Sequence, residues 1–321
     1  YTLRNPNVLL LLGSQEEIEA VLLKDREPSV EFESAVFRPA LRMEPSSSRR
    51  GPLTYQQLSE LLRPTNITII SGCLAGGVTE IHAGLKDYLG QTGNSILFDK
   101  CTDREIFGNE LNRTMKNRSS EGTTVIVVPH TVPWSALWLQ DARKKMNHLR
   151  SEQRHVSMVF VADPKLLWEI LIDEDTLIEV GMPWMTLLPW QDAFVRHWLE
   201  ELQLTKDDPD LQKSIMQVTG YWPYLLFDLV KGCTEVNELQ KRIIIMQTQS
   251  NDPTIIERRC TEFGLNTTEP RDVLLALAKW QEPIDPNELA IITERSINDV
   301  KRALRWAELL GITEMEGRDY W

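Results

Sequence analysis

The stretch Ser71–Leu85, SGCLAGGVTEIHAGL, follows the apolar run Ile67–Ile70 and carries most of the groups that hold a phosphate ester. From Gly72 it spells G-x-x-x-x-G-V-T, one residue short of the phosphate-loop pattern G-x-x-x-x-G-K-[ST]. Such a loop works because backbone N–H groups converge on the anion at a helix N-terminus, where the helix dipole adds to them. Its lysine neutralises phosphate charge, and its Ser or Thr hydroxyl holds Mg²⁺. Here Gly72, Gly76 and Gly77 keep the turn and Thr79 keeps a metal ligand, but Val78 stands where the lysine belongs. Glu80 adds an anion beside the place for phosphate. At about 4 Å and an effective dielectric near 20, one unit charge is worth about 4 kcal/mol, so losing a cation and gaining an anion is a severe handicap. The expectation is a phosphate loop kept as a turn with its charge removed. A plain strand-to-helix turn and a working loop are the two other accounts.

Phosphoryl-transfer sites also need an acidic residue at the tip of a downstream apolar strand to hold the metal and polarise water. The best strand for it, TTVIVVPHT, ends in Pro129-His130-Thr131 with no carboxylate. SILFDKC ends in Asp99, but it comes too soon after the first helix. His82 and His130 could approach one another across the site, although no ligand spacing supports a metal.

Positioning these residues requires strands and helices in alternation. The pattern predicts strands at 67–71, within NSILFD, at 123–129, at 156–162 and within 177–188. Helices are expected at 79–90, 103–118, 134–150 and over PKLLWEIL. Short β-rich runs separated by helices indicate crossovers and a parallel sheet, hence a three-layer α/β domain over 54–188. After Pro189 only amphipathic helices follow, giving a helical domain over 189–268. Residues 269–321 read as three helices and a hairpin, with Ser296 as cap, Gly311 as stop and Glu316-Gly317-Arg318 as turn; that is the order of a winged helix. Residues 1–53 read as an N-terminal strand, a helix capped by Ser14 and a connector rich in Glu, Pro, Ser and Arg. A further short helix follows over YQQLSELLR.

Composition bounds the function. The chain has 321 residues, 42% of them hydrophobic, and no run of eighteen apolar residues, so a membrane span is not expected. A net charge of −12 argues against a general nucleic-acid binder, because phosphate neutralisation supplies most non-specific affinity. Four scattered cysteines make neither a disulfide framework nor a zinc cage, and a cytoplasmic setting is the simplest account. The start at Tyr1 reads as a cut inside a larger protein.

Beyond the loop, GMPWMTLLPWQDAFVRHWLEELQL followed by IMQVTGYWPYLLFDLV resembles the helical lid of AAA+/STAND-type P-loop NTPases. Leu187-Leu188-Pro189 matches the entry, Trp198-Leu199 the first helix, and Thr219-Gly220-Tyr221-Trp222-Pro223-Tyr224 the motif that contacts the nucleotide base. Tyr221 departs from that motif, which has a second glycine there. VFVAD resembles the sensor strand, with Asp163 at its tip. The resemblance covers roughly 54–321 and implies a P-loop NTPase-like fold with a helical lid and a winged helix. It also implies a nucleotide site built from Gly72, Gly76, Gly77, Val78, Thr79 and Pro223. A likeness between Tyr1-Thr2 and Tyr320-Trp321 suggests tandem modules.

Two basic groups could bind DNA or a partner. Lys301, Arg302 and Arg305 lie on the last helix, yet 269–321 holds seven basic and eleven acidic residues. Arg143, Lys144 and Lys145 belong to the densest basic stretch, read as the solvated face of a helix. Trp184, Trp190, Trp198 and Trp222 are expected to cluster as anchors between the α/β and helical parts. The sequence therefore favours an inactive NTPase-like module that contacts other domains or a protein partner, with no cofactor. A working ATPase using ATP and Mg²⁺ through Thr79, or a winged-helix DNA-binding regulator, is the alternative.

Overall fold

The computed structural model describes Leu61, Arg63 and residues 66–82, 84–85, 89, 97–98, 103–116, 124–151, 156–172, 184–190, 195–196, 198–199, 208–233, 235–248, 252–266, 268–279, 284–313, 315–316 and 319–320. All of them belong to one compact unit, Ser34–Trp321. The expectations for residues 1–53, and for the short helix after them apart from the helical Leu61, fall outside these residues.

Five strands form one parallel sheet: β1 Asn66–Ser71, β2 Leu97–Phe98, β3 Thr124–Val128, β4 Val156–Ala162 and β5 Trp184–Thr186, in the order β2-β3-β4-β1-β5. β3 and β4 are buried along their whole length. A strand covered on both faces reads as an unbroken apolar run, which is why TVIVV and VSMVFVA identify themselves. α1 Arg104–Lys116 and α2 Ala136–Ser151 connect β2 to β3 and β3 to β4, and α3 Pro164–Leu171 follows β4. One face of the sheet packs Val78, Ile81 and Leu85 against Ile70, Val127 and Val161. The other packs Phe107, Trp134, Leu139 and Phe160.

Helices α4 Pro209–Thr219, α5 Pro223–Val230, α6 Val236–Thr248 and α7 Pro253–Glu262 lie in the stretch expected to be a helical lid, preceded by helical residues at Val195, Arg196, Trp198 and Leu199. α8 Thr268–Lys279, α9 Pro286–Thr293 and α10 Ile297–Leu309 then lead to the antiparallel strands β6 Met315–Glu316 and β7 Asp319–Tyr320. Glu316 pairs with Asp319, so Glu316 belongs to the strand and not to the turn assigned to it from sequence. One device starts four helices: an aspartate whose carboxylate accepts a first-turn amide, followed by proline at the first helical position. Asp163, Asp208, Asp252 and Asp285 all serve this way.

α8 and α10 share a single apolar core with the sheet. Val273, Leu304, Trp306 and Leu310 pack in the same cluster as Ile69, Phe160 and Leu167. The Trp306 indole donates to the Pro164 carbonyl at 2.8 Å, and the Ser71 hydroxyl at the end of β1 donates to the Leu309 carbonyl.

The four tryptophans expected to cluster do so only in part. Trp190 and Trp198 stack edge to face at 5.6 Å, and Trp222 packs on Phe263. Trp184 is half-buried in β5 and joins the main core instead. Trp134 and Trp306, fully buried, are the larger anchors.

Candidate nucleotide loop

β1 ends at Ser71, and the chain turns through Gly72–Gly77 into a single 3-10 turn at Val78–Glu80, with helical residues from Ile81 onward. The strand–loop–helix order is therefore that of a phosphate loop, and Gly77 takes the left-handed conformation (φ 82°) that favours glycine.

The loop's donors point at the protein. Ala75 N–H donates to the Glu262 carbonyl at 2.9 Å, Gly76 N–H to Cys73 at 3.1 Å, and Gly77 N–H to Leu74 at 2.9 Å. Val78 N–H reaches the Cys73 carbonyl at a long 3.5 Å, and Glu80 N–H bonds Gly77 at 3.0 Å. An anion cradle needs these amides unspent and convergent.

Side chains fill the space as well. Val78 is wholly buried in the core beside Ile70, Ile81 and Leu187. The position assigned to a phosphate-binding lysine thus points into hydrocarbon. A Cβ on Gly72 would lie 2.8 Å from Leu187 Cβ, and one on Gly76 would lie 3.3 Å from it. Gly72 is required by the close approach of Leu187 and Gly76 is tight against it, the Leu187 amide being held by the Ser71 carbonyl at 2.8 Å. Thr79 is exposed and Glu80 half-buried.

The helices after β5 pack on the loop from the other side. Trp222 and Leu225 pack against Cys73 and Ala75, with Phe263 alongside, and Pro223 is buried at the start of α5. Burial pushes the Cys73 thiol up to about 12 from 9.0, with the Glu262 carboxylate adding to the rise. Glu262 is in turn paired with Arg259 at 2.8 Å and Arg258 at 3.4 Å. A three-unit rise leaves about a thousandfold less thiolate near neutral pH. Iodoacetamide at pH 8 should therefore label the Cys73 peptide about a thousandfold more slowly in the folded protein than in urea, as read by peptide mass spectrometry. A thiol whose pKa is raised on folding contributes stability that is complete below pH 9 and lost as pH rises towards 12. Cys73→Ala should flatten that alkaline loss.

The other predicted positions fall as follows. After β3, Pro129–Val132 make a tight turn, Val132 N–H donating to the Pro129 carbonyl, and His130 is half-buried there. Asp163 lies at the tip of β4 and caps α3, its carboxylate accepting from Leu166 N–H at 2.8 Å. Gly220 and Tyr221 both take left-handed backbone angles (φ 56° and 64°). Tyr221 thus holds a conformation that favours glycine, at the steric cost a side chain incurs there. His82 is half-buried, and no cluster of three or more metal-capable side chains occurs among the described residues.

On α10, Arg302 is paired with Asp299 at 3.6 Å and Arg305 with Glu308 at 2.7 Å, while Lys301 is exposed. On α2, Arg143 and Lys144 are exposed, and Lys145 reaches back to Asn112 Oδ1 at 2.7 Å. The sequence pattern did not single out Ala75, Glu262 or Phe263, and it recognised Leu187 only as an entry to the lid. Nothing local marks a carbonyl 187 residues away as the partner of a loop amide.

The fold these elements define is a P-loop NTPase-like α/β fold. Solved structures similar to the chain include the Thermotoga maritima RuvB Holliday junction branch migration motor, at 11% identity over 79% of this chain and 83% of that one, with a TM-score of 0.35. The Aeropyrum pernix ORC1 protein in complex with DNA is similar at 14% identity, 83% and 86% coverage and a TM-score of 0.35. The Aeropyrum pernix ORC2 protein, solved as ADPNP-ADP complexes, is similar at 10% identity, 83% and 85% coverage and a TM-score of 0.37. No family model and no curated protein matches the sequence. Likenesses this distant say nothing of ligand or activity. Among the described residues no helix is long and apolar enough to cross a membrane.

Proposed function

We propose that this chain is a catalytically inactive NTPase-like module of AAA+/STAND type, serving as a regulatory or protein-interaction scaffold. The observation that carries it is the spent loop: the amides of Ala75, Gly76 and Gly77 are bonded to the chain's own carbonyls. Val78, buried in the core where the pattern has a lysine, acts in the same direction by removing a cation from the loop. The paired charges of α10 favour protein contact over DNA, since Arg302 and Arg305 already have acidic partners.

Calorimetric titration with ATP and ADP in the presence of Mg²⁺ tests the reading, and no heat of binding is expected at up to millimolar nucleotide. Micromolar affinity with Mg²⁺-dependent hydrolysis, lost in Thr79→Ala, would overturn it in favour of a working ATPase with unconventional residues.

A further inference from the structure

α5 and α7 each leave backbone groups without an intrahelical partner, as every helix end does. α5 begins Trp222-Pro223-Tyr224 and has no side-chain cap, so the Tyr224 amide in its first turn needs an external acceptor. α7 ends at Glu262, whose carbonyl needs an external donor. Both needs are met by one residue: the Ala75 carbonyl accepts from Tyr224 N–H at 3.0 Å, and Ala75 N–H donates to the Glu262 carbonyl at 2.9 Å. The polarity also matches, because an acceptor faces the positive end of α5 and a donor faces the negative end of α7. Around this pair Cys73 and Ala75 are fully buried, Trp222 is 8% exposed, and the Trp222 and Phe263 rings meet edge to face at 5.2 Å. The hydrogen bonds are therefore shielded from water, where their loss would leave polar groups unmet.

We propose that Ala75 is a backbone latch that holds the lid shut on the loop with no ligand, so that the module keeps one closed conformation whatever the nucleotide supply. The latch occupies the amide that a phosphate would compete for, and opening it exposes two helix ends at once. It rests on the reading that the loop takes no nucleotide, and the two fail separately: heat of ATP binding overturns that reading, whereas the latch is judged by amide exchange without nucleotide.

Hydrogen exchange of the ligand-free protein should show the Ala75 and Tyr224 amides protected to the level of β1 and unchanged by millimolar Mg-ATP. Trp222→Ala, or the milder Phe263→Leu, should raise exchange at both amides together by at least about tenfold while β3 and β4 stay protected. Exchange at the unprotected rate in the unsubstituted protein overturns the latch even if neither variant folds. Independent rather than joint loosening of the two amides, or closure only after Mg-ATP is added, overturns it too.

Discussion

Val78→Lys should not create a nucleotide site; it should destabilise the protein by about 3–5 kcal/mol, the range for an unpaired charge placed in a core. Restoring the missing residue of the G-x-x-x-x-G-K-[ST] pattern is the obvious experiment on this chain, and on sequence alone it looks like a repair. Val78 is 0% exposed and touches the cluster of Ile70, Ile81, Leu85 and Leu187. A lysine there must either lose its proton or force its stem past Leu187. At about 2–4 °C per kcal/mol for a domain of 150–250 residues, the melting temperature should fall by roughly 6–20 °C. Val78→Ala removes only hydrocarbon and should cost about 1–2 kcal/mol. Thermal melts paired with an ATP titration check both halves. A Val78→Lys protein that melts with the unsubstituted one and gains ATP affinity would mean that the side chain swings out and the loop is open.

The contrast between loop and sheet shows what the sequence could disclose. Strand β4 was recovered residue for residue and β3 to within its ends, because a strand buried on both faces is written as a continuous apolar run. Helix starts act over a similarly short range, since an Asp cap with proline behind it, or Ser296 at the start of α10, bonds an amide within three residues. Asp163 shows the same locality: it stands at the tip of β4, where the resemblance placed it, and it also caps α3. What lay beyond the sequence are contacts between segments far apart in the chain. Gly72 and Gly76 look like phosphate-loop glycines in isolation, yet what they accommodate is Leu187, more than a hundred residues on. The missing lysine was legible, and the bonds that spend the loop's donors on Cys73, Leu74 and Glu262 were not. Arg302 and Arg305 sit three residues from Asp299 and Glu308, so their internal pairing could have been weighed from helical spacing alone.

Trp306→Ala should cost about 3–5 kcal/mol and should lower one cooperative transition that includes the sheet, not a separate melting of the C-terminal helices. Residues 269–321 were expected to be a winged helix, and a detachable winged helix could swing out to meet DNA. Trp306 binds it down: the indole is fully buried, meets Trp168 edge to face at 6.2 Å and donates to the Pro164 carbonyl at 2.8 Å. Two further contacts support the same junction. The Ser71 hydroxyl bonds the Leu309 carbonyl, and Gly311, at φ 72°, lies so close to β5's exit that a Cβ would fall 2.9 Å from the Leu187 carbonyl. Leu187 therefore packs against the glycine loop on one side and Gly311 after α10 on the other, so loop, sheet and α10 should soften together. Trp306→Phe keeps most of the ring but removes the indole donor to the Pro164 carbonyl, and should cost about 0.5–1.5 kcal/mol of the same transition. Calorimetry with hydrogen exchange over α8–α10 and β4 decides the point. If Trp306→Ala splits the melt in two and frees 268–313 while β4 stays protected, the C-terminal helices are an independent unit and their exposed Lys301 regains its claim on a nucleic acid.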